Sequence, residues 1–113
     1  MRIPAVLAIL LLAALPSLPQ SRSFTGEIMD SQCAGMHSHD KMMKGVDAKT
    51  AKECSQKCVE LGGKYVLFDT ASKTVYQLDD QAKPAAYAGQ KVSVKGTLDP
   101  GTRTIHIESI GAM

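Results

Sequence analysis

Tryptophan is absent from the 113 residues, and three tyrosines with two phenylalanines are the only aromatics. So sparse a set stocks no base-stacking platform of the kind used by single-strand nucleic-acid binders. An excess of one charge is missing too, since 13 Lys+Arg face 11 Asp+Glu with the signs interspersed. That balance offers neither a basic stripe for a phosphate backbone nor a patch for an anionic membrane. No GxSxG, HExxH or phosphate-cradling glycine loop occurs, so the spacings that mark common hydrolases and nucleotide sites are lacking. The acidic pair Asp79-Asp80 stands before a helical segment, where Asp80 reads as a cap rather than as half of a catalytic carboxylate pair. These absences favour a non-enzymatic protein.

Long apolar runs are lacking as well, except at the start. MRIPAVLAILLLAALPSLPQSRS carries one arginine, an apolar stretch from Ala5 to Leu15, and then small and polar residues with prolines. That is the order of a secretory signal peptide, and the run is short for a bilayer crossing. Residues 1–21 are read as the signal, with cleavage between about 19 and 23. The expected location is periplasmic or secreted, with no transmembrane segment after signal removal. Residues 22–113 suffice for one domain with a modest core.

Within that domain FTGEIMD (24–30) reads as a first strand, followed by a long loop to Lys49 without a clear period. Thr50-x-x-Glu53 has the spacing of a capping box, and the helix it opens should end at Gly62-Gly63. Ala51, Cys54, Cys58 and Leu61 share one face of that helix, so its cysteines look inward. KYVLFD and KTVYQLD read as two strands joined by TAS, then DQAKPAAYA suggests a brief helix, with Asp80 as its cap. KVSVKGTL, the turn DPG and TRTIHIESI form the last hairpin, with Gly96 at an inward position that permits sharp coiling. The expected fold is mainly β: a five-stranded OB-like small barrel, with an inserted loop and helix (31–63) after strand 1 and a short helix between strands 3 and 4.

Cys33, Cys54 and Cys58 are the chemically informative residues. A disulfide from Cys33 to Cys54 or Cys58 would pin the loop to the helix and stabilise the fold by roughly 3 kcal/mol. Cys54 with Cys58 is the poorer pair, because helix positions four apart hold their Cβ atoms roughly 5 to 6 Å apart. Metal coordination is the alternative, with Cys33, Cys54 and Cys58 joined by His37 or His39 around zinc. Met36, Met42 and Met43 stand beside those histidines and extend the donor set toward copper. The same methionines serve equally as adaptable core filler. A thiol redox partner would need an exposed cysteine of low pKa, which two inward-facing sulfurs do not supply. His106, on the polar face of the last strand, reads as surface.

FTGEIMDSQCAGMH, AKECSQKCVELGGKYVLF and GQKVSVKGTL with TIHIESI together resemble a family of small exported bacterial proteins across about residues 24 to 110. The resemblance implies an OB-like barrel carrying an insert with one upstream cysteine and a Cys-x3-Cys helix. It supplies no substrate, ion or partner; by analogy of fold the expected role is a non-enzymatic binding or interaction module for an unspecified small ligand or envelope protein.

Overall fold

The computed structural model describes residues 20–37, 39, 43, 45 and 48–113. The expected signal peptide therefore lies almost wholly outside the described residues. In chain order the elements are β1 (Arg22–Asp30), α1 (Ser31–Gly35), α2 (Ala51–Glu60), β2 (Tyr65–Asp69), β3 (Thr74–Leu78), α3 (Ala82–Ala85), β4 (Lys91–Asp99) and β5 (Thr104–Ala112).

YVLF in β2 is apolar without alternation, the pattern of a strand buried on both faces. Tyr65 and Leu67 join Phe24, Ile28, Leu78, Val92, Val94 and Ile105 in the core inside the sheet. Val66 and Phe68 point the other way, into a second core with Met29, Cys33, Ala34, Cys54 and Cys58. The insert is thus packed on the outer face of β1 and β2, and its cysteines are its hydrophobic anchors.

The strands form a ring sheet in the order β1-β2-β3-β5-β4, antiparallel except for the parallel contact of β3 with β5. The expectation of an OB-like small barrel is corrected here to a mixed, mainly-β domain built on a five-strand ring sheet with helices. The finding behind the correction is the β3–β5 seam, where only Gln77↔Thr104 and Leu78↔Ile105 are in register. By contrast, β4 and β5 pair from Val92↔Ala112 to Asp99↔Thr104. β3 is only five residues long, and only its C-terminal end, Gln77 and Leu78, lies in register with β5.

Asp79, just beyond β3, extends that seam with its side chain. Its Oδ1 accepts from the Ile107 amide at 2.9 Å, and its Oδ2 lies 3.0 Å from His106 Nδ1. The Ile107 N–H, with a smaller contribution from His106, holds the Asp79 carboxyl below the usual carboxylate range. A carboxyl lowered on folding adds stability above its unfolded value, and that stability is lost as pH falls through the folded one. Asp79→Asn is therefore expected to reduce the loss of stability on acidification, read as urea midpoints between about pH 6 and pH 2.

Gly96 marks the register shift between Lys95 and Gly96 in β4. A Cβ at this position would collide with the His106 carbonyl and crowd the Ile105 side chain. Gly96→Ala should cost about 1–3 kcal/mol by overpacking. At Gly111 an added Cβ meets nothing within 4 Å, so Gly111→Ala should stay within about 0.5 kcal/mol. Urea unfolding of the two variants side by side checks the contrast.

Helix α2 follows its sequence signals closely at both ends. Thr50 Oγ1 accepts from the Glu53 amide at 3.1 Å, and Glu53 Oε2 accepts from the Lys49 amide at 3.0 Å. Gly62 at φ 104 ends it, with the Gly63 amide donating to the Cys58 carbonyl at 2.9 Å. Leu61 departs from expectation: it is 77% exposed, because it is the C-cap residue at φ −84, ψ 9 and has left the buried helical face. Asp80 caps the short α3 as expected, its Oδ1 accepting from the Ala82 and Lys83 amides. Among the described residues no helix is long and apolar enough to cross a membrane.

Candidate metal centre

β1 ends at Asp30, and α1 begins on the next residue. Asp30 is extended, and its Oδ2 accepts from the amides of Gln32 and Cys33 at 3.0 and 3.1 Å. A carboxylate at this position satisfies free donors and suits the positive end of the helix. The cap also fixes where Cys33 points. Its Sγ lies 3.5 Å from Sγ of Cys54 on α2, and both residues are fully buried. All three cysteines are free thiols.

His39 reaches the same place from the loop beyond α1. Its Nε2 lies 2.8 Å from Glu27 Oε1, and its side chain is 11% exposed. One donor atom each from Asp30, Cys33, His39 and Cys54 lie within 4.8 Å of one another. These four residues form a cluster capable of chelating a metal.

Hydrogen bonding identifies the free lone pairs. Among the described residues, Asp30 Oδ1, His39 Nδ1 and Ser55 Oγ are buried side-chain atoms without a partner, and the first two belong to this cluster. Each buried polar atom left unpaired costs about 1–3 kcal/mol. Asp30 Oδ2 is taken by the amides and His39 Nε2 by Glu27, so Oδ1 and Nδ1 remain for a ligand. A histidine that donates its other N–H to a carboxylate is the usual arrangement behind a metal ligand, because it fixes the tautomer and raises basicity. Glu27→Gln should accordingly weaken metal binding by about 10–100-fold, read by competition with a chromogenic chelator.

Electrostatics favour protonated sulfurs until a cation arrives. Burial, followed by the nearby Asp30 carboxylate and Cys54, raises the Cys33 thiol far above its ordinary value. Cys58 is pushed up to about 11, again by burial first and then by the charge of Asp30. A metal held by Cys33 must displace the proton of that thiol. Buried sulfurs of raised pKa are the opposite of a reactive redox cysteine.

Cys58 and His37, the other expected cysteine and histidine ligands, are not among the four. Cys58 is buried beside Cys54 in the second core. His37, at φ 57, stacks its ring on Phe68 with centroids 5.3 Å apart. Met36 is 43% exposed, Met43 packs against the second core, and Met42 lies outside the described residues. Asp30 and Glu27 escape the sequence reading because both fall in the expected first strand, FTGEIMD, where a carboxylate reads as an ordinary polar side chain. The spacing of Asp30 and Cys33, a cap residue followed by a cysteine at the third helical position, is the signal that joins them.

Fold and site together define a mainly-β domain with a buried Asp/Cys/His/Cys cluster suited to a metal ion. Residues 58–113 match a family model described as "Protein of unknown function (DUF5818)". No curated protein and no solved structure matches the chain. The family match begins at Cys58, leaving out Asp30, Cys33, His39 and Cys54. That finding corrects the resemblance expected over residues 24 to 110: what is supported is similarity to a domain of unknown function, without an OB-like barrel or a cysteine insert as its mark. Neither the described residues nor the comparisons support the expected OB-fold label, which is corrected accordingly; the expectation of export rests on residues 1–21, almost all of which lie outside the described residues.

Proposed function

We propose that this protein binds one Zn²⁺ ion through Asp30 Oδ1, Cys33 Sγ, His39 Nδ1 and Cys54 Sγ, as a structural or carrier site rather than a catalytic one. The observation that carries the reading is the gathering of one ligand atom each from Asp30, Cys33, His39 and Cys54 within 4.8 Å, in residues whose Asp30 Oδ1 and His39 Nδ1 are buried without a hydrogen-bond partner. Two thiolates, an imidazole and a carboxylate are a borderline mixture that suits tetrahedral zinc. Zinc bonds of roughly 2.0 Å to N or O and 2.3 Å to S correspond to donor separations of about 3.3–3.8 Å. The present spread of up to 4.8 Å needs a contraction of about 1.5 Å or less. Four protein donors would fill a tetrahedral shell and leave no open position for substrate.

Copper is the weaker choice, since Met36 is exposed and a carboxylate is a hard donor. The test is titration of reduced, chelator-treated protein with Zn²⁺, followed by metal analysis after desalting. One retained ion per chain is expected. Retention of none, or equal retention after Cys54→Ser, would defeat the reading.

A further inference from the structure

Cys33 and Cys54 provide two of the four proposed ligands, and their sulfurs are only 3.5 Å apart. A disulfide requires about 2.05 Å, so bonding asks for an approach of roughly 1.5 Å between two helices. The two cysteines belong to separate elements, α1 and α2. Rigid shifts can therefore bring them together without distorting one helix. A sulfur engaged in a disulfide no longer offers the thiolate that a metal ligand requires. The metal site and the disulfide are mutually exclusive uses of the same atoms.

We infer that this centre is a redox-gated metal site, in which a small peroxide oxidises Cys33 and Cys54 to a disulfide and expels the ion. The inference rests on the zinc reading above. Bound zinc holds both sulfurs as thiolates, and thiolate is the nucleophilic form. One thiolate attacks a peroxide oxygen and breaks the O–O bond, giving a sulfenic acid and hydroxide. The second thiolate attacks the sulfenic sulfur, forms the S–S bond and releases the other oxygen as hydroxide. Two electrons leave the sulfur pair, the peroxide is reduced to two hydroxides, and the dication loses half of its donors. Glu27 and His39 are the partly exposed side of the cluster, with side chains 20% and 11% exposed.

This assignment also gives the third cysteine a distinct fate. Cys58 lies beside the pair but outside the four-donor set, so it stays a thiol. Zinc-loaded protein is treated with hydrogen peroxide while released zinc is followed with a chromogenic chelator, and the products are mapped by non-reducing peptide mass analysis. One zinc released per Cys33–Cys54 disulfide, with Cys58 still alkylatable and zinc binding restored by a thiol reductant, is the expected result. Cys58→Ser should release zinc to the same extent, with its fold checked by circular dichroism. Zinc retained alongside the disulfide, or a disulfide made through Cys58, would overturn the gate while leaving the metal site standing. Failure of the reduced protein to bind zinc before any peroxide is added would overturn both.

Discussion

Cys54→Ser is expected to weaken Zn²⁺ binding by more than about a hundredfold, beyond the 10–100-fold typical of losing an outer-shell partner. The sulfur is one of two soft donors, and a serine hydroxyl at this position replaces a charged ligand with a neutral one. In the unmodified protein, zinc at a hundred times its Kd should raise unfolding free energy by about 2.7 kcal/mol through linkage. The variant should lose that increment, and its fully buried hydroxyl should lower metal-free stability by no more than about 1–3 kcal/mol. Asp30→Asn separates the two duties of Asp30. Asparagine remains a good helix cap, so metal-free stability should change little, whereas zinc affinity should drop with the lost charge. Chelator competition and urea unfolding, with and without zinc, read both effects.

Phe68→Ala is expected to cost about 3–5 kcal/mol, the range for emptying a large buried aromatic site. Phe68 is 2% exposed and is the largest member of the second core, where it packs with both ring-facing and insert residues. It also carries the stacked ring of His37 and lies near the Lys73 ammonium, 5.8 Å from its centroid. A cavity here loosens the surface against which α1 and α2 hold Cys33 and Cys54. Zinc affinity should therefore decline along with stability. Chemical denaturation supplies the first number and chelator competition the second.

Legibility in the sequence followed the strength of local signals. The Thr50 cap, the Gly62 stop and the two hairpins are encoded by neighbouring residues, so their places could be read directly. The inward Cys54 and Cys58 followed from helical spacing and are buried. Helix α1 was not visible, because five residues give no periodicity and its cap, Asp30, also ends a strand. The ring's weak point, the β3–β5 seam, depends on a parallel contact between elements far apart in sequence, which no local pattern announces. In the candidate centre, Cys33, His39 and Cys54 were recognisable by residue type. Their selection over His37, Met36 and Cys58 was decided by three-dimensional facts: the cap that aims Cys33, the Glu27 contact that orients His39, and the Phe68 face that draws His37 away.

Zinc K-edge X-ray absorption on the reduced, zinc-loaded protein tests the central claim most directly. Two sulfurs at about 2.3 Å and two nitrogen or oxygen donors at about 2.0–2.2 Å are the predicted shell, with one sulfur lost in Cys54→Ser. A shell of three sulfurs, which would bring in Cys58, or of nitrogen and oxygen alone, would contradict the assignment of Asp30, Cys33, His39 and Cys54.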